Sequence, residues 1–166
     1  MRVSAYSDYA FRVLMQSALD NHNLTTVAKV ADTFGISRHH LVKVVHDLGR
    51  HGYLATRRGV GGGFKLARAP EAIRLGDIVR LGEESDVVID CREEGNRLCR
   101  LLPACRLKGI LDEAAAAFFK VLDRYTLADL IRRPSAMRSA LGIDGTQTIG
   151  QTRRRDAEFD RAKLEI

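Results

Sequence analysis

Thr26-Val27-Ala28-Lys29-Val30-Ala31-Asp32-Thr33-Phe34-Gly35-Ile36-Ser37-Arg38-His39-His40-Leu41-Val42-Lys43 reads as two short helices and the turn between them. Thr25 or Thr26 is placed to cap the first, Val27 to Phe34, with Val27, Val30 and Ala31 facing inward. Gly35 supplies the tight turn. Ser37 is placed to cap the second helix, which runs to about Gly49 or His51 with an apolar stripe of Leu41, Val44, Val45 and Leu48. A short helix, a glycine turn and a second helix make a helix-turn-helix pattern. Downstream, Tyr53 to Thr56 is strand-like, Arg57 to Gly63 is a basic glycine-rich loop, and Phe64 to Leu66 is a second strand. That pair makes a wing. Upstream, Ser7 to Leu19 has helical spacing, with Tyr6 or Ser7 as the expected cap. The fold class is therefore mainly α, a winged helix-turn-helix.

Beyond Ala69-Pro70 the pattern changes. Ile73 to Gly82 reads as a short helix, Val87 to Ile89 as a brief strand, and Asp90 to Arg106 has little periodicity. Leu107 to Asp123 reads as a long helix with Ile110, Leu111, Ala114, Phe118, Val121 and Leu122 apolar; its run Ala114 to Ala117 admits close approach of another helix. Thr126 is placed to cap Leu127 to Ile131. After Pro134 the chain turns polar, with Arg153-Arg154-Arg155 in a stretch expected to be flexible and one helical turn near Phe159 to Leu164. The expected division is a DNA-binding domain over 1–68, a cysteine loop and long helix over 69–132, and a flexible tail over 133–166.

The net charge of +6 is not evenly spread. Residues 1–68 carry ten Lys/Arg and four Asp/Glu, whereas the remainder carries seventeen of each. A locally basic segment favours polyanions. Ser37, Arg38, His39, His40 and Lys43 crowd the start of the second helix, whose N-terminal residues enter the major groove in this geometry. Thr26 heads the preceding helix, where free N–H groups favour a phosphate. Arg57, Arg58 and Lys65 flank the wing and suit phosphates or the minor groove. The plainer alternative is a basic hairpin that docks a protein. Adjacent His39 and His40 diverge by about 100° on a helix, which argues against a shared metal ion.

The only cysteines, Cys91, Cys99 and Cys105, lie within fifteen residues of one another. An odd, clustered set argues against a disulfide framework. Their spacing fits neither zinc ribbons nor common ferredoxins, but three thiolates on one loop suit an iron–sulfur cluster. Arg92, Arg97, Arg100 and Arg106 offset its negative charge. A redox thiol trio or a zinc site with one further ligand stays open on spacing alone, and three cysteines leave one iron without a protein ligand. Asp8 and Arg12, four residues apart on the first helix, read as a surface ion pair.

No apolar run reaches the length of a membrane span, and the first residues are amphipathic rather than leader-like, so a cytoplasmic location is expected. No Ser/His/Asp arrangement or catalytic acid pair is present, and Gly59 to Gly63 precedes a strand, not a capped helix, so it is no nucleotide loop. The chain is not expected to be an enzyme.

Three stretches carry a resemblance: Asp8-Tyr9 with Arg12, Gly35 to Lys43, and Arg58-Gly59 with Gly61-Gly62. With them the chain resembles the winged-helix iron–sulfur regulators, a family that includes the IscR, RirA and nitric-oxide-responsive NsrR branches. Leu102-Pro103-Ala104-Cys105-Arg106-Leu107-Lys108 and Tyr125 to Leu130 are most similar to the last branch. The resemblance covers about residues 1–132. It implies a homodimer packed through the long helices, and an operator-binding repressor on double-stranded DNA. It implies a [4Fe-4S] cluster on Cys91, Cys99 and Cys105, with Asp8 of the partner subunit as the fourth ligand and Arg12 steadying it, and nitric oxide as the signal. The seven-residue gap between Cys91 and Cys99 is longer than in many chains of that branch and occurs in RirA-like chains, which makes iron or cluster status the second expected signal. Val60 stands where many relatives carry a basic or polar wing residue. A thiol enzyme or electron carrier would need neither wing nor reading helix.

Overall fold

The computed structural model describes residues 3–20, 23–83, 92–93, 97–101 and 104–143. Helix α1 spans Ala5–Leu19, and its cap is Ser4, whose hydroxyl accepts the Ser7 N–H at 3.2 Å. Neither Tyr6 nor Ser7 caps it. Ser7 is fully buried and its hydroxyl donates to Glu83 at 3.0 Å, so a residue distant in sequence fixes where α1 begins. Helix α2, Val27–Phe34, is capped by Thr26, whose hydroxyl accepts the Lys29 N–H at 3.1 Å. Gly35 ends it with φ +64°, a left-handed conformation costly for any residue with a Cβ. Helix α3, Arg38–Arg50, follows with Ser37 at its cap position, but the Ser37 side chain makes no capping hydrogen bond. Its expected role as a cap is therefore not fulfilled; it is left exposed.

Strands β1 (Leu54–Arg57) and β2 (Gly63–Leu66) pair antiparallel, with Leu54 opposite Leu66 and Arg57 opposite Gly63. Phe64 is buried against the helices, and its backbone exchanges two 2.8 Å hydrogen bonds with Thr25. The hairpin is thereby stitched to the start of α2. A Cβ on Gly63 would stand 2.4 Å from the Thr25 carbonyl oxygen, so only glycine permits this approach.

A 3-10 turn at Pro70–Ala72 leads to α4, Leu75–Gly82. Beyond it, β3 (Arg92–Glu93) and β4 (Arg97–Leu98) pair antiparallel inside the cysteine segment, where little regular structure was expected. The strand expected at Val87 to Ile89 lies outside the described residues. Helix α5 spans Arg106–Leu122 and α6 spans Leu127–Leu130. The chain after α5 returns to pair with the chain before α4: Leu75 N–H donates to Tyr125, and Leu127 N–H to Ile73.

Ile73, Ile78 and Leu127 belong to the same apolar cluster as Val13, Leu14, Leu41, Leu48 and Phe64. Residue 68 is therefore no break in packing, and Met1–Arg132 forms one compact unit. A second unit, Arg133–Ile166, contains helix α7, Pro134–Ala140, with proline in its first turn where a missing N–H costs nothing. This helix occupies part of the stretch expected as a tail. The helical turn expected near Phe159 and the arginine run at 153–155 lie outside the described residues.

Candidate functional site

Leu41, Val44, Val45 and Leu48 turn one face of α3 into the core. The opposite face follows from the helical period: Arg38, His39, His40, Lys43 and His46 are all exposed. Thr26, Ser37, Arg57, Arg58 and Lys65 are exposed as well, so every residue expected to meet DNA is solvent-accessible. Arg38 pairs with Asp32 at 3.4 Å, with both side chains about two-thirds exposed. Such a pair contributes at most about 1 kcal/mol and leaves the guanidinium available to a base or phosphate. The Thr26 hydroxyl accepts from Lys29 and keeps its own hydrogen for a phosphate oxygen. At the wing, Gly59 and Gly61 have φ of +95° and +71°, and the loop is closed by a Gly62 N–H to Gly59 hydrogen bond. Val60 is fully exposed at its tip.

Helix α1 lies behind α3. The Tyr9 ring stacks on His40 with centroids 6.1 Å apart and planes inclined by 18°. Tyr6 is part-buried, and its hydroxyl is pushed up to about 12, first by burial and then by the charge of Asp47 and a hydrogen bond to it. Arg12 places its guanidinium 5.5 Å from the Phe34 ring centre. The same guanidinium holds Asp8 by two contacts, Nε to Oδ1 at 3.1 Å and Nη2 to Oδ2 at 3.0 Å. The Asp8 side chain is 48% exposed, so its carboxylate is oriented by Arg12 yet open to another molecule.

Cys99 and Cys105 are free, part-exposed thiols, and Cys105 stands at the N-cap position of α5. Cys91 lies outside the described residues. Among the described residues no three His, Cys, Asp or Glu side chains converge, and within one chain Asp8 is not gathered with Cys99 and Cys105. Soft, unpaired thiols suit an iron–sulfur group chemically.

Three features of the site's frame have no local signal in the sequence. Glu83, the last described residue before the cysteine segment, accepts from the Ser4 N–H and the Ser7 hydroxyl, both at 3.0 Å. Buried Asp20 accepts from Gln16 at 3.1 Å, Thr25 at 2.5 Å and Lys29 at 2.7 Å, joining α1, α2 and the Thr25 bridge to the wing. Arg80 on α4 makes two 2.8 Å hydrogen bonds to Asp123 beyond α5 and lies 4.5 Å from the Phe119 ring centre. Asp123 is held below the ordinary carboxylate range chiefly by those Arg80 hydrogen bonds.

Helix α5 departs from the expected burial. Ala115 and Phe119 are its buried residues. Ile110, Ala114 and Val121, expected on an apolar face, are exposed, whereas Leu111, Phe118 and Leu122 are half-buried. Arg80 and Phe119 fix which side faces α4, and a second stripe of Leu107, Ile110, Ala114, Ala117 and Val121 is left on the surface. Among the described residues no helix is long and apolar enough to cross a membrane.

Residues 3–133 match the family described as Rrf2, iron-dependent transcriptional regulator. An HTH-type transcriptional regulator NsrR from Geobacillus kaustophilus is 44% identical over 142 residues, covering 85% of this chain and 97% of that protein. The NsrR regulator of Bacillus subtilis is 41% identical over 133 residues, covering 80% and 91%. Among solved structures, the global cysteine regulator CymR of B. subtilis is similar with a TM-score of 0.62 and 27% identity, covering 78% of this chain and 95% of that one. IscR of T. potens shares the fold, with a TM-score of 0.58, 24% identity, and coverage of 90% and 95%. The exposed reading helix and wing agree with these likenesses: the chain belongs to the Rrf2 family and is a DNA-binding transcriptional regulator, not an enzyme.

Proposed function

We propose that this regulator is a homodimeric repressor whose hold on operator DNA depends on a [4Fe-4S] cluster and is released by nitric oxide. Cys91, Cys99 and Cys105 are the proposed cysteine ligands, and Asp8 of the partner subunit is the fourth. When bound, the cluster supplies iron that reacts with nitric oxide. The chain's own residues do the rest. Arg12 orients Asp8, and α3 reads bases through Arg38, His39, His40 and Lys43 with Ser37 at its start. Thr26, Arg57, Arg58 and Lys65 contact the DNA backbone. The exposed stripe on α5 packs against a second copy, as an apolar face of that length requires cover.

The observation that carries this reading is the donor set. The three cysteines of the chain cluster on one segment, and the two described are free thiols, with Cys105 at the N-cap position of α5. The half-exposed Asp8 carboxylate supplies a ligand available to another chain. A second reading, with iron or cluster status as the signal, draws on the iron-dependent description of the family and on the seven residues between Cys91 and Cys99.

Anaerobically purified protein tests both. Wild type is expected to be coloured, and nitric oxide should bleach its absorption and release a palindromic operator duplex. Cys91→Ala, Cys99→Ala and Cys105→Ala should each be colourless. Asp8→Ala should keep a cluster with altered absorption and bind the operator more weakly. Colourless wild type after iron–sulfur reconstitution would refute the cofactor. Release by iron chelation but not by nitric oxide would select the second reading.

A further inference from the structure

We propose that Val42 is a specificity-determining residue of the reading helix, one that recognises the C5-methyl group of a thymine in the major groove. The proposal rests on the reading of α3 as the helix that enters that groove, and it adds an apolar contact to the polar ones already named.

Val42 is the one aliphatic side chain of α3 that the core does not take up. Leu41, Val44, Val45 and Leu48 are buried, whereas Val42 is 57% exposed. Local preference does not ask for valine here either. On an exposed helix face a β-branched residue is a weaker helix former than alanine, lysine or glutamate. A lone exposed valine is ordinary on most surfaces; the neighbours of Val42 set it apart.

At about 100° per residue, Arg38, His39, Val42, Lys43 and His46 fall within an arc of about 140° on α3. All five are exposed, and no carboxylate of α3 falls in that arc. Arg38 and His39 lie one turn before Val42, and His46 lies one turn after it. The cations and imidazoles around the valine are the groups that draw this face onto phosphates and base edges. The helix cannot lay that arc against DNA without covering Val42.

What the covered valine can face follows from its chemistry. Its side chain neither donates nor accepts a hydrogen bond. In the major groove guanine presents two acceptors, adenine an acceptor and a donor, and cytosine a donor, whereas thymine presents a methyl group beside its one acceptor. A valine over a wholly polar edge displaces water and offers no partner, which costs as any unpaired buried polar group does. Over the thymine methyl group the same burial is favourable. Val42 therefore selects twice, for thymine by contact and against the other bases by desolvation.

The test uses anaerobically purified full-length protein and the duplex that it enriches from a random-sequence pool. Each thymine of that duplex is replaced in turn by deoxyuridine, which removes the methyl group and keeps the pairing edge. Affinities of wild type and Val42→Ala for every duplex are measured by fluorescence anisotropy, with Tm followed by circular dichroism. The two proteins should differ little in Tm, because the exchanged side chain is on the surface. For wild type, deoxyuridine at one thymine position should weaken binding about fourfold, the scale of burying one apolar carbon group. Val42→Ala should lose about as much on the thymine duplex and little more on the deoxyuridine duplex, because both changes remove one contact. Should Val42→Ala keep the full deoxyuridine effect at every thymine, whatever its own affinity, the methyl group is read by another residue and the proposal is overturned. Wild type indifferent to every replacement overturns it as well, while sequence enrichment leaves the reading of α3 standing. Should wild type enrich no sequence at all, that reading fails and the proposal with it.

Discussion

Asp20→Ala removes the acceptor at the centre of the α1–α2–wing junction. The Asp20 side chain is 3% exposed and accepts from Gln16, Thr25 and Lys29. Gln16 and Thr25 are fully buried, so truncation leaves two donors cut off from water. Hydrogen bonds to charged groups contribute about 1.5–3 kcal/mol each, and an orphaned buried donor costs a similar amount. The Lys29 side chain is 44% exposed and re-enters solvent when freed, so its share is about 0–1 kcal/mol. The two buried arms set the loss at about 3–5 kcal/mol, the range for breaking a buried charged network. For a unit of this size that lowers Tm by about 10–20 °C. Lys29→Met should cost less than about 1 kcal/mol by the same reasoning. Urea unfolding followed by circular dichroism gives both values. Operator affinity should fall with Asp20→Ala at a temperature where the variant is folded, because Thr25 holds the wing through Phe64. A loss below about 1 kcal/mol for Asp20→Ala would refute the reasoning, since it would mean that Gln16 and Thr25 find other partners at no cost.

Gly63→Ala should destabilise the protein by about 1–3 kcal/mol, as overpacking does, because the added Cβ meets the Thr25 carbonyl oxygen at 2.4 Å; wild-type stability in chemical denaturation would disprove the close approach. Asp123 is held below its ordinary value of 3.8 chiefly by hydrogen bonds from Arg80, so the unfolded chain binds the proton more readily. The stabilisation is then present above that ordinary value and lost as pH falls through the lowered one; Tm against pH should drop more steeply on the acid side in wild type than in Arg80→Met, and parallel curves would exclude the pair as the cause. Arg57→Ala and Arg58→Ala should weaken operator and unrelated duplexes alike and each cut the log–log salt slope by about 1, whereas Val60→Lys should raise it by about 1. Fluorescence anisotropy at four salt concentrations measures this, and a loss confined to the operator would assign the arginines to base reading instead.

Local physics made the DNA-binding half legible. Thr26 caps α2 and Gly35 takes positive φ because both choices depend on neighbours within four residues. Leu41, Val44, Val45 and Leu48 are buried because a 3.6-residue period leaves them no other face. The wing follows from glycines at Gly59 and Gly61, whose backbone suits a turn that residues with a Cβ rarely make. The misses are non-local. Ser4 replaces Tyr6 or Ser7 as the cap of α1 because Glu83, seventy-six residues beyond Ser7, claims the Ser7 hydroxyl. Helix α5 has apolar residues on more than one side, and periodicity cannot say which side its own chain covers. Arg80, forty-three residues from Asp123, decides that, and Phe119 rather than Phe118 is buried.

The proposed ligand set explains why the site was harder to read than the fold. Taken as a stretch of helix, Asp8 and Arg12 have the spacing of a surface ion pair, and the structure contains that pair. A carboxylate serving a second chain leaves no mark on its own helix, because neither periodicity nor capping distinguishes a surface open to water from one open to a subunit. The stripe of Leu107, Ile110, Ala114, Ala117 and Val121 has the same ambiguity from the opposite direction: it reads as core by period and lies exposed in the single chain. A second copy resolves both at once. Covering the stripe removes apolar surface from water, and the same association offers Asp8 a neighbour with free thiols. In the proposed dimer, cluster and interface are therefore linked by mass action. A group bound across two chains stabilises their association by as much as association tightens its binding. In that proposal, cluster loss acts on α3 through the spacing of the two reading helices that a palindromic operator requires.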